Sequence, residues 1–324
     1  VPFYNEQVIM SKPELMKTEA NGMSIGHYLR QIHEDEWENF AERLDLQADW
    51  ARDKEKTLEF RLWASNRSQT LARCIRGMMT GEQALQALAE AEGYSPERAK
   101  QLARQKNYVV ISCQIYGDYR KAVKQAQDDE TRHGHMGNVN LEYNAKISKF
   151  LAINEMMERF PHLRVAYIDT AHPQASVLVK WDERHNEIVE VYRIKLPGPP
   201  IIGEGKPENQ NHAMIFTRGR FLQTVDMNQD AYFEEALKMR NLLEEFEPPS
   251  RCGKRKPVTM VGFGEHQFSA AFNAAAEFSA LSEFTFTTMV QRSKEVWGDV
   301  RMHYGHPDLH DRLWLTTRGG VSKA

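Results

Sequence analysis

The sequence predicts an α/β fold: a mostly parallel sheet flanked by helices and carrying helical insertions. Three observations predict it. Short β-branched runs alternate with helical stretches of about ten residues or more, the pattern of strands joined by crossover helices. Tyr108 to Ser112 is a short β-branched run of the kind that marks a buried strand, and Arg164 to Asp169 reads as a strand ending on an acid. The composition, 41% hydrophobic and 27% charged over 324 residues, is that of a globular chain with a sizeable core. No repeat or low-complexity tract divides it, so residues 1–324 read as one domain.

The elements follow in order. Ser24 to Leu46 carries a Trp-centred apolar stripe with many acids and reads as a helix, Glu34-Asp35-Glu36 lying on its solvated face. Helical patterning returns around Leu58 to Met79 and at Glu82 to Ala91. Ser95-Pro96 is a helix start, a Ser N-cap with Pro in the first turn, and that helix runs to about Lys106. Gln125 to Asn138 is polar and reads as a surface loop. From Ala145, Ile147, Phe150, Ile153, Met157 and Phe160 place one apolar face on a helix. Ser176 to Lys180 and Glu187 to Leu196 read as a hairpin turning at His185-Asn186. Met214 to Phe216 and Phe221 to Val225 are extended, Tyr232 to Phe246 is a helix stopped by Pro248-Pro249, and Val258 to Val261 is a short strand.

Charge and cysteines exclude several classes. Lys+Arg 42 against Asp+Glu 45 leaves a net charge of -3, without the basic excess of a nucleic-acid binder. Cys74, Cys113 and Cys252 are far apart with no C-x-x-C pair, so neither a disulfide framework nor a thiolate zinc site is indicated, and they read as idle thiols in a reducing compartment. No apolar run approaches the ~20 residues of a membrane-spanning helix, and there is no signal peptide. The chain opens on Val1-Pro2-Phe3 and stops at Ser322-Lys323-Ala324 without a terminal cap. The expectation is an excerpt, truncated at both ends, whose missing spans say nothing of a parent.

Chemistry-bearing residues concentrate between Leu196 and Asp230. Gly203 and Gly205 free the backbone to approach a ligand, and Lys206 adds a point charge suited to phosphate. Asn209-Gln210-Asn211-His212 packs four hydrogen-bonding side chains together, a set suited to sugar hydroxyls and a pyrophosphate. The plainer alternative is a Gly/Pro-rich turn with polar decoration, and the spacing is not that of a P-loop. Asp226-Met227-Asn228 imitates a D-x-D that holds a divalent cation such as Mg²⁺ against a diphosphate; the alternative is helix capping by Asn228 or Asp230. His303 and His306 lack an H-E-x-x-H pattern and read as structural or as lining a saccharide groove. Arg318, before Gly319-Gly320, suits a phosphate or a surface acid. Trp63, Trp181 and Trp297 read as core or rim residues.

Taken together, Arg193 to Gly198, Gly203 to Ala213, Asp226 to Asp230, His303 to Asp308 and Thr317 to Ala324 resemble, in the same order, the callose/1,3-β-glucan synthase family, in its plant, algal or oomycete form. Pro2-Phe3-Tyr4-Asn5-Glu6 and Phe60 to Leu71 resemble it too, so the match spans nearly the whole chain. The resemblance implies a multi-pass plasma-membrane enzyme whose cytosolic region, with a glycosyltransferase-A-like fold, transfers glucose from UDP-glucose to a growing 1,3-β-glucan chain with inversion. It implies that Lys206 contacts the phosphates, Asp226 sits at the donor site, Tyr4 and Glu6 lie near the uridine, and Asn209, Asn211 and His212 line the donor. Regulation by a small GTPase is a family-level expectation.

Three departures stand out. Arg220 follows Thr217-Arg218-Gly219 where the family has Glu; Gly264-Glu265-His266 stands for Arg-Glu-His; and the family's acidic Asn-Glu-Asp motif, the expected general base, lies beyond Ala324. The chain alone is therefore expected to hold donor-site residues yet to be inactive. Two other readings compete: a non-catalytic UDP-sugar-binding or regulatory module derived from the family, and a phosphate-ester hydrolase built on His303 to Asp308.

Overall fold

The computed structural model describes residues 10–18, 22–47, 49–67, 71–113, 115–133, 141–170, 174–199, 201, 203, 205–226, 229, 231–247, 258–262, 300–301, 308–317 and 320, with isolated residues between 277 and 289. Among the described residues the architecture is α/β with two mixed four-stranded sheets.

Six helices come first: α1 (Lys12–Met16), α2 (Ile25–Ile32), α3 (Glu34–Arg43), α4 (Lys54–Arg67), α5 (Leu71–Ala91) and α6 (Pro96–Lys106). The single helix expected over Ser24 to Leu46 is broken at His33, whose φ of -121° and ψ of 49° leave the helical region. The break has a use. It places Glu34, Asp35 and Glu36 in the first turn of a new helix, where acids oppose the positive end of the dipole. The predicted caps are present: the Ser24 hydroxyl accepts from the His27 amide, and that of Ser95 from the Arg98 amide, with Pro96 in the first turn. The first four helices enclose an aromatic cluster of Phe40, Phe60 and Trp63, with Leu15 and Leu29. Trp63 and Phe60 are fully buried, each worth about 1.5–3 kcal/mol.

The first sheet runs β1 (Val110–Ser112), β2 (Arg164–Asp169), β3 (Ala175–Asp182), β4 (Glu187–Ile194). Helices α7 (Tyr116–His133) and α8 (Leu141–Arg159) form the crossover from β1 to β2, so those strands are parallel, with Ile111 opposite Val165. The hairpin is as expected, with Asn186 in the left-handed region at its turn. Helix α7 continues through much of the stretch read as a loop; residues 134–140 lie outside the described residues.

Both faces of the sheet are covered at β2, which is why its four inner residues, Val165 to Ile168, are apolar and buried. Val165 and Tyr167 pack on Ile75, Met79, Ile153, Met156 and Met157 from α5 and α8. On the other face Ala166 and Leu178 meet Ala213 and Phe216. Those residues belong to α9 (Lys206–Met214) and the turn after it. The sequence reading had a ligand loop there, then an extended Met214 to Phe216; the structure has a helix ending at Met214 and a turn.

The second sheet is built from β5 (Phe221–Gln223), β6 (Met260–Val261), β7 (Val300–Arg301) and β8 (Leu309–Asp311), in the order β5-β8-β6-β7. Helix α10 (Phe233–Glu244) covers it through Met239, Leu242 and Leu243, and α11 (Arg312–Thr317) continues from β8. Among the described residues β1–β2 and β6–β7 pair parallel, and the remaining pairings are antiparallel. The sheets are mixed where a mostly parallel one was expected, because a hairpin extends the first and β8 returns between β5 and β6 in the second. No helix among the described residues is long and apolar enough to cross a membrane.

Candidate donor site at the start of helix nine

Gly205 caps α9 with φ 74° and ψ -119°, a backbone setting in which a side chain would be strained. It carries no side chain to satisfy the first-turn amides, and Lys206 follows at the first helical position. A helix start without a side-chain cap and bearing a lysine favours anions, and one acid, the buried Glu208, already stands in its first turn. The Lys206 ammonium lies 2.5 Å from Oδ1 of Asp226, twenty positions further on, with Lys206 half-exposed and Asp226 mostly covered.

Asp226 follows the carboxyl end of β5 and is held by its backbone. Its amide donates to Gln229 Oε1 at 2.9 Å, and the Gln229 amide returns a bond to the Asp226 carbonyl at 3.1 Å. The buried Cys74 thiol of α5 lies 3.8 Å from the same carbonyl. Burial, with the Asp226 charge adding to it, pushes that thiol up to about 12, so it stays protonated. Helix α10 starts at Phe233 with Tyr232 at the N-cap position; Asn228 and Asp230, the capping residues expected from the sequence, lie outside the described residues.

Two of the expected donor-lining residues are spent inside the protein. The Ser112 hydroxyl, at the carboxyl end of β1, contacts both Oδ1 and the main-chain carbonyl of Asn209, and Asn209 Nδ2 donates to the Ser112 carbonyl at 3.4 Å. His212 Nδ1 lies 2.9 Å from Oγ of Ser176 on β3, with both residues buried. Burial holds the imidazole down at about 4. His212 is therefore neutral near pH 7 and offers an anion no charge. Asn209 and His212 fasten α9 across β1 and β3, and so fix where Lys206 points. Asn211 projects elsewhere, against the backbone of Gly320.

Lys206 and Asp226 are thus brought together. Tyr4, Glu6, Asn228, Arg318, His303, His306 and Gly264 lie outside the described residues. Arg220, one of the departures, pairs on the surface with Glu247 and lies over the Phe221 ring. The described residues do not by themselves fit a divalent cation. Asp226 faces Lys206, and among them no three His, Cys, Asp or Glu side chains converge. Ser112, Ser176 and Gln229 escaped the sequence reading. Ser112 alone left a trace, as the polar residue that ends an apolar strand.

A family model described as 1,3-beta-glucan synthase component matches residues 49–324. Putative callose synthase 6 of Arabidopsis thaliana is 43% identical to this chain over 354 residues, callose synthase 7 is 42% identical over 355, and callose synthase 12 is 39% identical over 380. Each match covers 100% of this chain but only 17%, 17% and 20% of the relative, so the chain spans about a fifth or less of their length.

Proposed function

Because the chain belongs to the 1,3-β-glucan synthase family, we propose that it carries the donor-binding part of an inverting glucosyltransferase that extends a 1,3-β-glucan (callose) chain from UDP-glucose. The carrying observation is the Lys206–Asp226 pair at the start of α9. It joins a cation suited to a diphosphate with a carboxylate suited to sugar hydroxyls, each taken from a segment that resembles the family.

In this reading the diphosphate displaces Asp226 from Lys206 and takes the ammonium and the helix dipole as its counter-charge. Asp226, released, accepts from glucose hydroxyls. The acceptor hydroxyl attacks the anomeric carbon from the face opposite UDP. The carbon–oxygen bond to the diphosphate breaks, the hydroxyl proton goes to a carboxylate base, and UDP leaves with its charge held by Lys206. The glycosyltransferase-A-like fold and a place on the cytosolic side of a plasma-membrane enzyme belong to the same reading. Arg220, one of the departures, is engaged on the surface by Glu247 and contacts neither Lys206 nor Asp226 among the described pairs.

Calorimetric titration with UDP-glucose and with UDP, with and without Mg²⁺, tests it. Lys206→Ala should weaken both nucleotides by about tenfold to a hundredfold, the range of a charge-assisted contact. Asp226→Asn should retain UDP and lose the added affinity for the glucose unit. A folded chain without saturable binding, or a Lys206→Ala chain that binds as the parent does, would sink the proposal.

A further inference from the structure

We infer that Gly320 is a positioning residue that sets Lys206 opposite Asp226 by closing a ring of contacts between the two sheets. The inference rests on the donor-site reading for its function, and on geometry alone for its structural half.

The ring can be followed residue by residue. Asp226 follows β5, and β5 pairs with β8, Leu222 opposite His310. β8 runs directly into α11, and the Gly320 amide closes on the Leu315 carbonyl at 3.0 Å. That brings the Gly320 backbone onto α9, where Asn211 and Met214 meet it. Helix α9 begins with Lys206, whose ammonium returns to Asp226. One sheet thus carries Asp226, the other supports Lys206, and Gly320 is a point at which the second sheet's C-terminal extension bears on the lysine's helix.

Only glycine fits there. Its φ of 83° is in the left-handed region, and a Cβ would overlap Asn211 Oδ1 and lie 2.7 Å from Met214 Cε. The methionine end can swing aside. Asn211 meets the added carbon with both Oδ1 and Cγ, so either its amide turns about its own side-chain bonds or α9, pinned on its sheet side by Asn209–Ser112 and His212–Ser176, shifts. Because Cγ, one bond from the Asn211 Cβ, is itself only 2.8 Å from the added carbon, part of the displacement passes to the helix. Drawing Lys206 away from the diphosphate weakens a charge-assisted contact worth about tenfold to a hundredfold in affinity.

The test has two readouts. In Gly320→Ala the amides of residues 208–214 should exchange with deuterium faster, those of β2 and β3 should not change, and the UDP-glucose Kd should rise by up to about tenfold to a hundredfold, the full worth of the Lys206 contact. In the double variant Asn211→Ala, Gly320→Ala the obstructing amide is gone, and exchange in α9 should return towards the parent value. If the parent chain itself does not bind UDP-glucose, the donor reading fails, and exchange alone decides whether Gly320 sets α9. The inference is overturned if Gly320→Ala leaves exchange and Kd within about twofold of the parent, or if the double variant exchanges no more slowly than the single one. Should the single variant fail to fold, a folded double variant with parent-like α9 exchange supports the inference. Failure of both to fold overturns it, since the glycine would then serve the fold at large.

Discussion

His212 shows how a residue type suited to a ligand can be claimed by the core. It is 4% exposed, bonded to Ser176, and held neutral, its imidazole pushed down to about 4 by burial. The unfolded chain protonates it near pH 6.5. Between about pH 6.5 and 4 the unfolded state therefore binds more protons than the folded one, and stability falls as pH falls through that window. For this residue the loss is about 2 kcal/mol at pH 5 and levels off below about pH 4. Urea unfolding of the parent and of His212→Asn at pH 7.5 and pH 5 should differ in slope with pH, the variant being flatter. Parallel profiles would mean that His212 is not the group that titrates. Lys206 is the opposite case. Its residue type and its place after Gly205 were legible in the sequence, and the structure leaves it half-exposed beside Asp226 rather than taken into the core.

At the scale of elements, what could be read was what local chemistry determines. The Ser95-Pro96 start, the 175–194 hairpin and β2 each carry their signal in consecutive residues. Helix α9 does not. Its buried positions include Pro207, Glu208 and His212, so no apolar stripe repeats along it, and its neighbours are Gly and Pro. The strands of the second sheet span only two or three residues, too few for a period of two to appear. What makes α9 a helix is its seat on β1 and β3, and that seat can be tested. Ser112→Ala removes the hydroxyl that Asn209 meets and leaves a partly buried amide oxygen without it. The loss should be about 1–3 kcal/mol in urea unfolding. The UDP-glucose Kd should rise with it, because the pin and the phosphate lysine share one short helix. Lost stability with unchanged affinity would separate the seat from the site.

The whole molecule has an aromatic, all-helical core at its N-terminal side and sheet-centred cores beyond it, with α5 between them. Helix α5, next after α4 in the chain, gives Ile75 and Met79 to the first sheet and sets Cys74 against the Asp226 carbonyl. The resemblance places Tyr4 and Glu6 at the uridine, so the N-terminal core must hold the start of the chain in position if that expectation is right. Its hold is visible just past those residues: Arg61 of α4 donates from Nε to the Met10 carbonyl at 2.9 Å, and Lys12 reaches the Ala51 carbonyl. Arg61→Ala releases the first of these and touches neither Lys206 nor Asp226. The chain's affinity for inorganic pyrophosphate should therefore be unchanged, while its affinity for UDP-glucose falls by about threefold or more, within the range of one hydrogen bond. Titration of the variant with both ligands separates the two ends of the donor. Equal losses would mean that the helical core supports the phosphate end, and no loss of either would remove Tyr4 and Glu6 from the uridine.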